Sequence, residues 1–150
     1  MRDIRFKAER LGGLLKPYEH KLLMEWALIC VEHICPLLQK EISLQINQTL
    51  VVGKQWSLGN TSVKEARNAA IALNELAKIT TNLTDKYGIK AAGHAVATAH
   101  MADHAAVASK YALKAFDTIH NSENSERDWQ RNNLAIEIKE FMIKILLDNR

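Results

Sequence analysis

One alanine-rich run, Lys90–Phe116, constrains the fold of this chain more than any other stretch. Eleven of its residues are Ala, the best intrinsic helix former, and no Pro interrupts it. Its polar residues fall on a narrow strip, so a helix formed here is apolar around most of its circumference, as is typical of a central helix enclosed by others. We therefore predict one long helix over the whole run, with neighbouring helices packed closely against its small side chains.

Helical spacing also marks the segments that precede this run. A short helix is predicted from Asp3 to Arg10, and Pro17 fits the first turn of the next one. Pro36 interrupts that second pattern and predicts a kink or a break near Cys35. The apolar residues of Glu41–Leu58 suit either a helix or a short strand, and we assign a helix because the flanking segments are helical.

The remaining segments complete an all-α fold. Ser62 and Glu65 have the spacing of a capping box and begin a helix that we expect to end near Tyr87-Gly88. After the central run, a polar loop leads to one final helix, capped by Ser125. The sequence thus predicts a single domain over residues 1–150, an all-helical bundle of five to seven helices around a central Ala/His-rich helix.

Composition narrows the classes of function and location. The formal net charge is +3, but the 20 basic residues are interspersed with 17 acidic ones, whereas nucleic-acid-binding domains concentrate Lys and Arg on one face. No apolar run is long enough to span a bilayer, and the first residues mix charges where a secretory signal has an apolar core. We expect a cytoplasmic protein with neither a nucleic-acid nor a membrane partner.

Three histidines lie in the central run and need hydrogen-bond partners if they are buried. In one continuous helix, His100 and His104 share a face at the spacing of a two-histidine metal pair. However, no HExxH pattern and no matching His-containing pair on a second helix accompany them. We interpret the histidines as buried polar groups and expect no cofactor and a loss of stability on acidification. The alternative is a metal-binding helical-bundle enzyme that uses His94, His100 and His104.

Other reactive or large side chains have ordinary structural interpretations. Cys30 and Cys35 point apart on a helix, so we expect no disulfide and interpret both as core residues. The three tryptophans are interpreted as core anchors, and an exposed one would be a candidate binding hot spot. The arginines Arg67, Arg127 and Arg131 suit either pairing with carboxylates or contact with a partner.

Three motifs carry a resemblance to a known family. The first is Ala92–His100, AGHAVATAH, followed by His104 and by Tyr111–Ala115. The second is Glu126–Gln130, ERDWQ. The third consists of Trp56 and Gly59 followed by Val63, Glu65, Ala66 and Arg67. These motifs resemble the Imm-5-like family of bacterial immunity proteins, the antidotes encoded beside the toxins of polymorphic toxin systems, and the likeness extends from Trp26 to Gln130.

The resemblance implies a protein that neutralises a cognate toxin by direct stoichiometric binding and has no catalytic site. A mildly basic chain is a weak match for a nuclease, whose cationic substrate groove favours an acidic inhibitor. The toxin and the oligomeric state stay open. The family-motif residues, expected to be structural or partner-binding, are Gly93, His94, His100, His104, Tyr111, Arg127, Trp129 and Arg67.

Overall fold

A computed structural model of the chain describes residues 3–148. Within them it contains seven α-helices and no β-strand, which confirms the all-α prediction. The helices are α1 Pro17–Ile34, α2 Lys40–Ser57, α3 Val63–Ile79, α4 Leu83–Ala97, α5 His104–His120, α6 Asn124–Asn132 and α7 Ile136–Asp148.

Several local signals act as predicted. Pro17 occupies the first turn of α1, and the short 3-10 helix Cys35–Leu37, which contains Pro36, separates α1 from α2. The uncertain segment after it is helical. At the start of α3, the Ser62 hydroxyl accepts a hydrogen bond from the Glu65 backbone N–H at 3.1 Å.

The prediction of one helix over Lys90–Phe116 is wrong. The chain turns at residues 98–103 and returns, so α4 and α5 form a helical hairpin. The Thr98 hydroxyl donates a hydrogen bond to the His94 carbonyl at 3.2 Å, and His20 of α1 contacts the Thr98 carbonyl oxygen, which removes it from a continuing helix. A 27-residue helix would be about 40 Å long, whereas a hairpin lets both Ala-rich halves pack within the bundle.

The predicted end of α3 is also wrong. The helix ends at Ile79, and Tyr87-Gly88 lies inside α4, whose N-terminus is capped by Asn82. Gly88 serves close packing here, because a Cβ atom at this position would lie 2.7 Å from Leu38 Cδ1. The glycine therefore admits a neighbouring side chain rather than stopping a helix.

Near each end of the chain, a segment that was predicted as one helix forms two shorter helices. The segment predicted as one N-terminal helix forms two 3-10 helices, Ile4–Phe6 and Glu9–Leu11. The final helix divides into α6 and α7, and Ser125 lies within α6 instead of capping it. At the division, the Asn133 side chain donates to the Trp129 carbonyl at 2.8 Å and competes with continued helical bonding.

The core forms around the α4–α5 hairpin, with α1 packed against both of its helices and α3 against α4. The hairpin contributes small, fully buried side chains, so adjacent backbones approach closely. Larger apolar side chains come mainly from α1, α2 and α7. Among the described helices, none has the length and apolar character required to cross a bilayer.

Candidate functional site

A row of aromatic and cationic side chains follows the α4–α5 hairpin. Tyr87, Lys90 and His94 lie three or four residues apart and share a face of α4. Helix α5 contributes His104, Tyr111 and Lys114, which are spaced by seven and then three residues. All six side chains are partly or fully exposed. We call this row the aromatic strip, and its members are Tyr87, Lys90, His94, His104, Tyr111 and Lys114.

His94 forms the centre of one end of the strip. Its ring stacks on Tyr111 with 5.4 Å between centroids and an interplanar angle of 9°, and on its other side it meets His104. The two Nδ1 atoms of His94 and His104 are 2.8 Å apart, so one nitrogen donates the proton that the other accepts. Burial, followed by the nearby charges of His104 and Lys90, lowers the pKa of His94 to about 4.

Lysines pack over the tyrosines at the other end of the strip. Lys114 Nζ lies 5.1 Å from the ring centroid of Tyr111 and 5.7 Å from that of Tyr87, and Lys90 Nζ lies 5.5 Å from Tyr111. These are cation–π distances. The contacts hold long side chains and aromatic rings in fixed positions on a surface that solvent can reach.

The predicted pairing of His100 with His104 does not form. That prediction required a continuous helix, and the turn at residues 98–103 leaves His100 exposed while His104 begins α5. His94 takes the place of His100 as the partner of His104. No group of three His, Cys, Asp or Glu side chains within residues 3–146, the range whose side chains are described, is arranged to hold a metal ion.

The ERDWQ motif lies at the contact between α6 and α1. Glu126 is 2% exposed, and one of its carboxylate oxygens lies 2.7 Å from His33 Nδ1. Trp129 stacks face to face on the His33 ring, with 3.6 Å between centroids and an interplanar angle of 4°. His33 is thus fixed by two residues of the motif.

Two further hydrogen bonds complete this contact. The Trp26 indole N–H donates to the Gln130 carbonyl at 2.8 Å, and the Gln130 side-chain amide donates to the Ser109 carbonyl of α5 at 3.0 Å. We call this set the α1–α6 junction, and its members are Trp26, His33, Ser109, Glu126, Trp129 and Gln130.

Both cysteines are buried and free. Burial, with a further contribution from the Glu126 carboxylate, raises the pKa of the Cys30 thiol well above its usual value. Burial likewise raises the pKa of Cys35. Neither thiol is therefore ionised near neutral pH, which agrees with their interpretation as core residues.

The other motif residues are dispersed. Gly93 is buried where α3 meets α4, because a Cβ atom there would lie 3.0 Å from Asn74 Oδ1. Arg127 pairs with Glu123 at 2.6 Å, and Arg67 lies exposed on α3. The structure thus brings together His94, His104 and Tyr111 and leaves Arg67 and His100 apart from them.

A groove beside the strip was missed by sequence reasoning. It has a volume of about 810 Å³ and is lined by residues of α5, α6 and α7, including Lys110, Lys114, Arg127 and Arg131. We call it the basic groove. Helices α5 and α6 each contribute two cations four residues apart, a signal present in the sequence, but only the tertiary structure shows that the two pairs border the same cavity.

Comparison with known proteins identifies the family. Residues 13–137 match the family model described as "Imm-5 like putative immunity protein". The chain belongs to this family. The resemblance drawn from the sequence motifs is therefore confirmed, and the matched region contains the whole aromatic strip and the whole α1–α6 junction. No curated protein and no solved structure gives a significant match.

The motifs of this Imm-5 like protein fall into two structural groups. The histidine motif contributes His94 and His104 to a solvent-accessible strip. The ERDWQ motif contributes two nearly fully buried residues, Glu126 and Gln130, to an interior junction. In the strip, His94, His104 and Tyr111 lie together, whereas in the ERDWQ motif Arg127 and Trp129 stay partly exposed beside the two buried residues.

Proposed function

We propose that this protein is a cytoplasmic immunity protein that inhibits a cognate toxin by one-to-one binding, acting as one domain over residues 1–150 and without catalysis. Membership of the Imm-5 like family supports a toxin partner in general. The observation that supports a particular surface is the aromatic strip, because it groups family-motif side chains on an accessible face.

The strip has the chemistry of a binding hot spot. Tyr is among the residues enriched at hot spots, and aromatic rings bring a large contact area with little conformational freedom to lose. Stacking of His94 on Tyr111, with Lys114 over both tyrosines, orders these side chains before any partner arrives. Such preorganisation reduces the entropic cost of association.

The motif residues take different roles in this proposal. Tyr111 and His104 contact the toxin, whereas Gly93 and His94 set the spacing and the stacking that support them. Trp129 holds α6 against α1 through His33, and Arg127 pairs with Glu123 at the start of its own helix. His100 and Arg67 are exposed and are assigned no contact with the toxin.

Expression of the toxin domain encoded by the neighbouring reading frame, with and without this protein, tests the proposal. Growth rescue together with a one-to-one complex is expected. Tyr87→Ala should weaken the complex about tenfold, as truncation of a hot-spot side chain does. Tyr18→Ala, which removes an exposed tyrosine of α1, is the matched control and should change affinity by less than about twofold.

Two results would contradict the proposal. An active toxin that kills despite the wild-type protein, with no complex recovered, would remove the antidote function for that pair. Equal affinities of Tyr87→Ala and the wild type would preserve the function and reject the strip as its surface.

A further inference from the structure

The basic groove gathers like charges around one cavity. Lys110 and Lys114 come from α5, Arg127 and Arg131 come from α6, and all four line the same space. Like charges around a partly desolvated cavity repel one another unless counter-charges lie between them. The groove therefore favours an anionic occupant.

The described part of the chain supplies only a fraction of the counter-charge. Glu123 pairs with Arg127 at 2.6 Å, and Asp128 is the other carboxylate of the lining. Among the described side chains, those of residues 3–146, Lys110, Lys114 and Arg131 take part in no ion pair. The groove lining therefore contains three cations outside any ion pair and one carboxylate, that of Asp128, to balance their charge.

Arg131 provides a second, independent observation. Its Nε atom is buried and has no hydrogen-bond partner among the described residues. A buried donor without a partner is unfavourable, and more so in a charged group. If the Arg131 side chain turns toward the groove that it lines, a carboxylate there supplies the missing acceptor and, as a two-pronged pair, a fixed orientation.

We propose that the basic groove receives an acidic segment of the toxin, with Arg131 and Lys110 as the residues that bind its carboxylates. This inference rests on the proposed function and names the chemistry of the partner surface. Lys114 belongs to both the groove and the aromatic strip, so one partner can cover the two together.

The lining favours a protein segment over a nucleic acid. Glu123 and Asp128 would repel a continuous phosphate backbone, whereas a peptide can place its carboxylates away from them. Leu113 and Leu146 give the groove apolar contacts for the side chains beside those carboxylates. The mildly basic net charge of +3 also complements an acidic partner.

Charge reversal tests the groove. At an ionic strength of about 0.05 M, Lys110→Glu should weaken the toxin complex about tenfold or more, and the difference from wild type should shrink at about 0.5 M because salt screens exposed charges. Lys78→Glu reverses a well-exposed cation of α3 and is the matched control, with an expected change of less than about twofold.

A second variant and a measurement of folding distinguish weaker binding from loss of the fold. Arg131→Lys keeps the charge but not the planar fork of donors, so it should also weaken the complex, and circular dichroism would show whether each variant is folded. An acidic-to-Lys substitution in the toxin that restores binding to Lys110→Glu would support the inference directly.

Failure of the inference differs from failure of the proposed function. If wild type binds the toxin and folded Lys110→Glu and Arg131→Lys bind equally well, the groove assignment is overturned while the antidote function stands. If wild type does not bind an active toxin, both are overturned. Groove-dependent binding of a single-stranded DNA 20-mer, with toxin affinity unchanged, would replace the protein segment by a nucleic acid.

Discussion

The aromatic strip and the α1–α6 junction use similar stacked rings, and they differ in the residues that those rings contact. Both contain a histidine stacked on an aromatic ring: His94 on Tyr111 in the strip, and His33 on Trp129 in the junction. In the junction, the histidine bonds to a carboxylate that is 2% exposed. In the strip, lysines and tyrosines remain accessible around the stack.

This difference separates two roles that a family motif does not distinguish. A buried polar group is retained because its loss leaves its partner unsatisfied, and so it acts on stability. An accessible, preorganised side chain adds little to stability and remains available to a partner. Substitutions in the junction should therefore reduce folding, and substitutions in the strip should reduce binding.

Trp26→Ala should have the largest effect on stability. It removes a ring that is 2% exposed and the shorter of two hydrogen bonds to the Gln130 carbonyl, which keeps a bond from the Asn133 backbone N–H at 3.3 Å. The free energy of unfolding should therefore fall by about 3–5 kcal/mol. Urea denaturation followed by circular dichroism measures this change. A loss below about 1 kcal/mol would show that the junction is not a stabilising contact.

Gln130→Leu should have the next largest effect. The substitution conserves bulk but removes the donor to the buried Ser109 carbonyl, which should lower the free energy of unfolding by about 1–3 kcal/mol. Gln48→Leu, at an exposed position on α2, is the matched control, and an equal loss in both variants would contradict a specific role for the hydrogen bond.

Acidification should weaken the fold through His94. Its pKa is about 4 in the folded state against 6.5 ordinarily, so between these values the unfolded chain holds the proton more tightly. The stability that neutral His94 contributes is fully present above pH 6.5 and decreases as the pH falls toward 4. Below pH 4 this residue causes no further loss of stability. The loss is about 1–2 kcal/mol once solvent screening of the partly exposed ring is allowed for.

The variant His94→Gln isolates this contribution from that of the other histidines. Thermal unfolding at a series of pH values should show a smaller decrease for the variant than for the wild type. Identical pH profiles would mean that the acid sensitivity does not arise at His94.

Lys114→Ala should have the smallest effect on stability. The side chain is exposed and makes only two cation–π contacts, so its loss should change the free energy of unfolding by about 0.5–1 kcal/mol. Affinity for the toxin should nevertheless fall about tenfold, because Lys114 borders both the strip and the groove. If the variant is strongly destabilised but binds the toxin with unchanged affinity, the strip acts on stability as the α1–α6 junction does, and the proposed difference between them is wrong.

Local signals in the sequence were reliable where one residue decides the backbone. Pro36 ends α1 because it has no N–H to donate, and Ser62 begins α3 because its hydroxyl satisfies a free backbone N–H. Gly88 was misinterpreted because glycine serves both a helix end and close packing, and its sequence neighbours do not distinguish the two.

The sequence by itself determined the helical class, the family and the Ala-rich centre, since these depend on propensity, periodicity and motif. Only the tertiary structure decided that the centre is a hairpin, because His20 of α1 contacts the backbone carbonyl at Thr98 from 78 residues away. Because of that turn, His104 contacts His94 instead of His100. Packing of α6 against α5 likewise assembled the basic groove, because contacts between distant segments set which side chains share a surface.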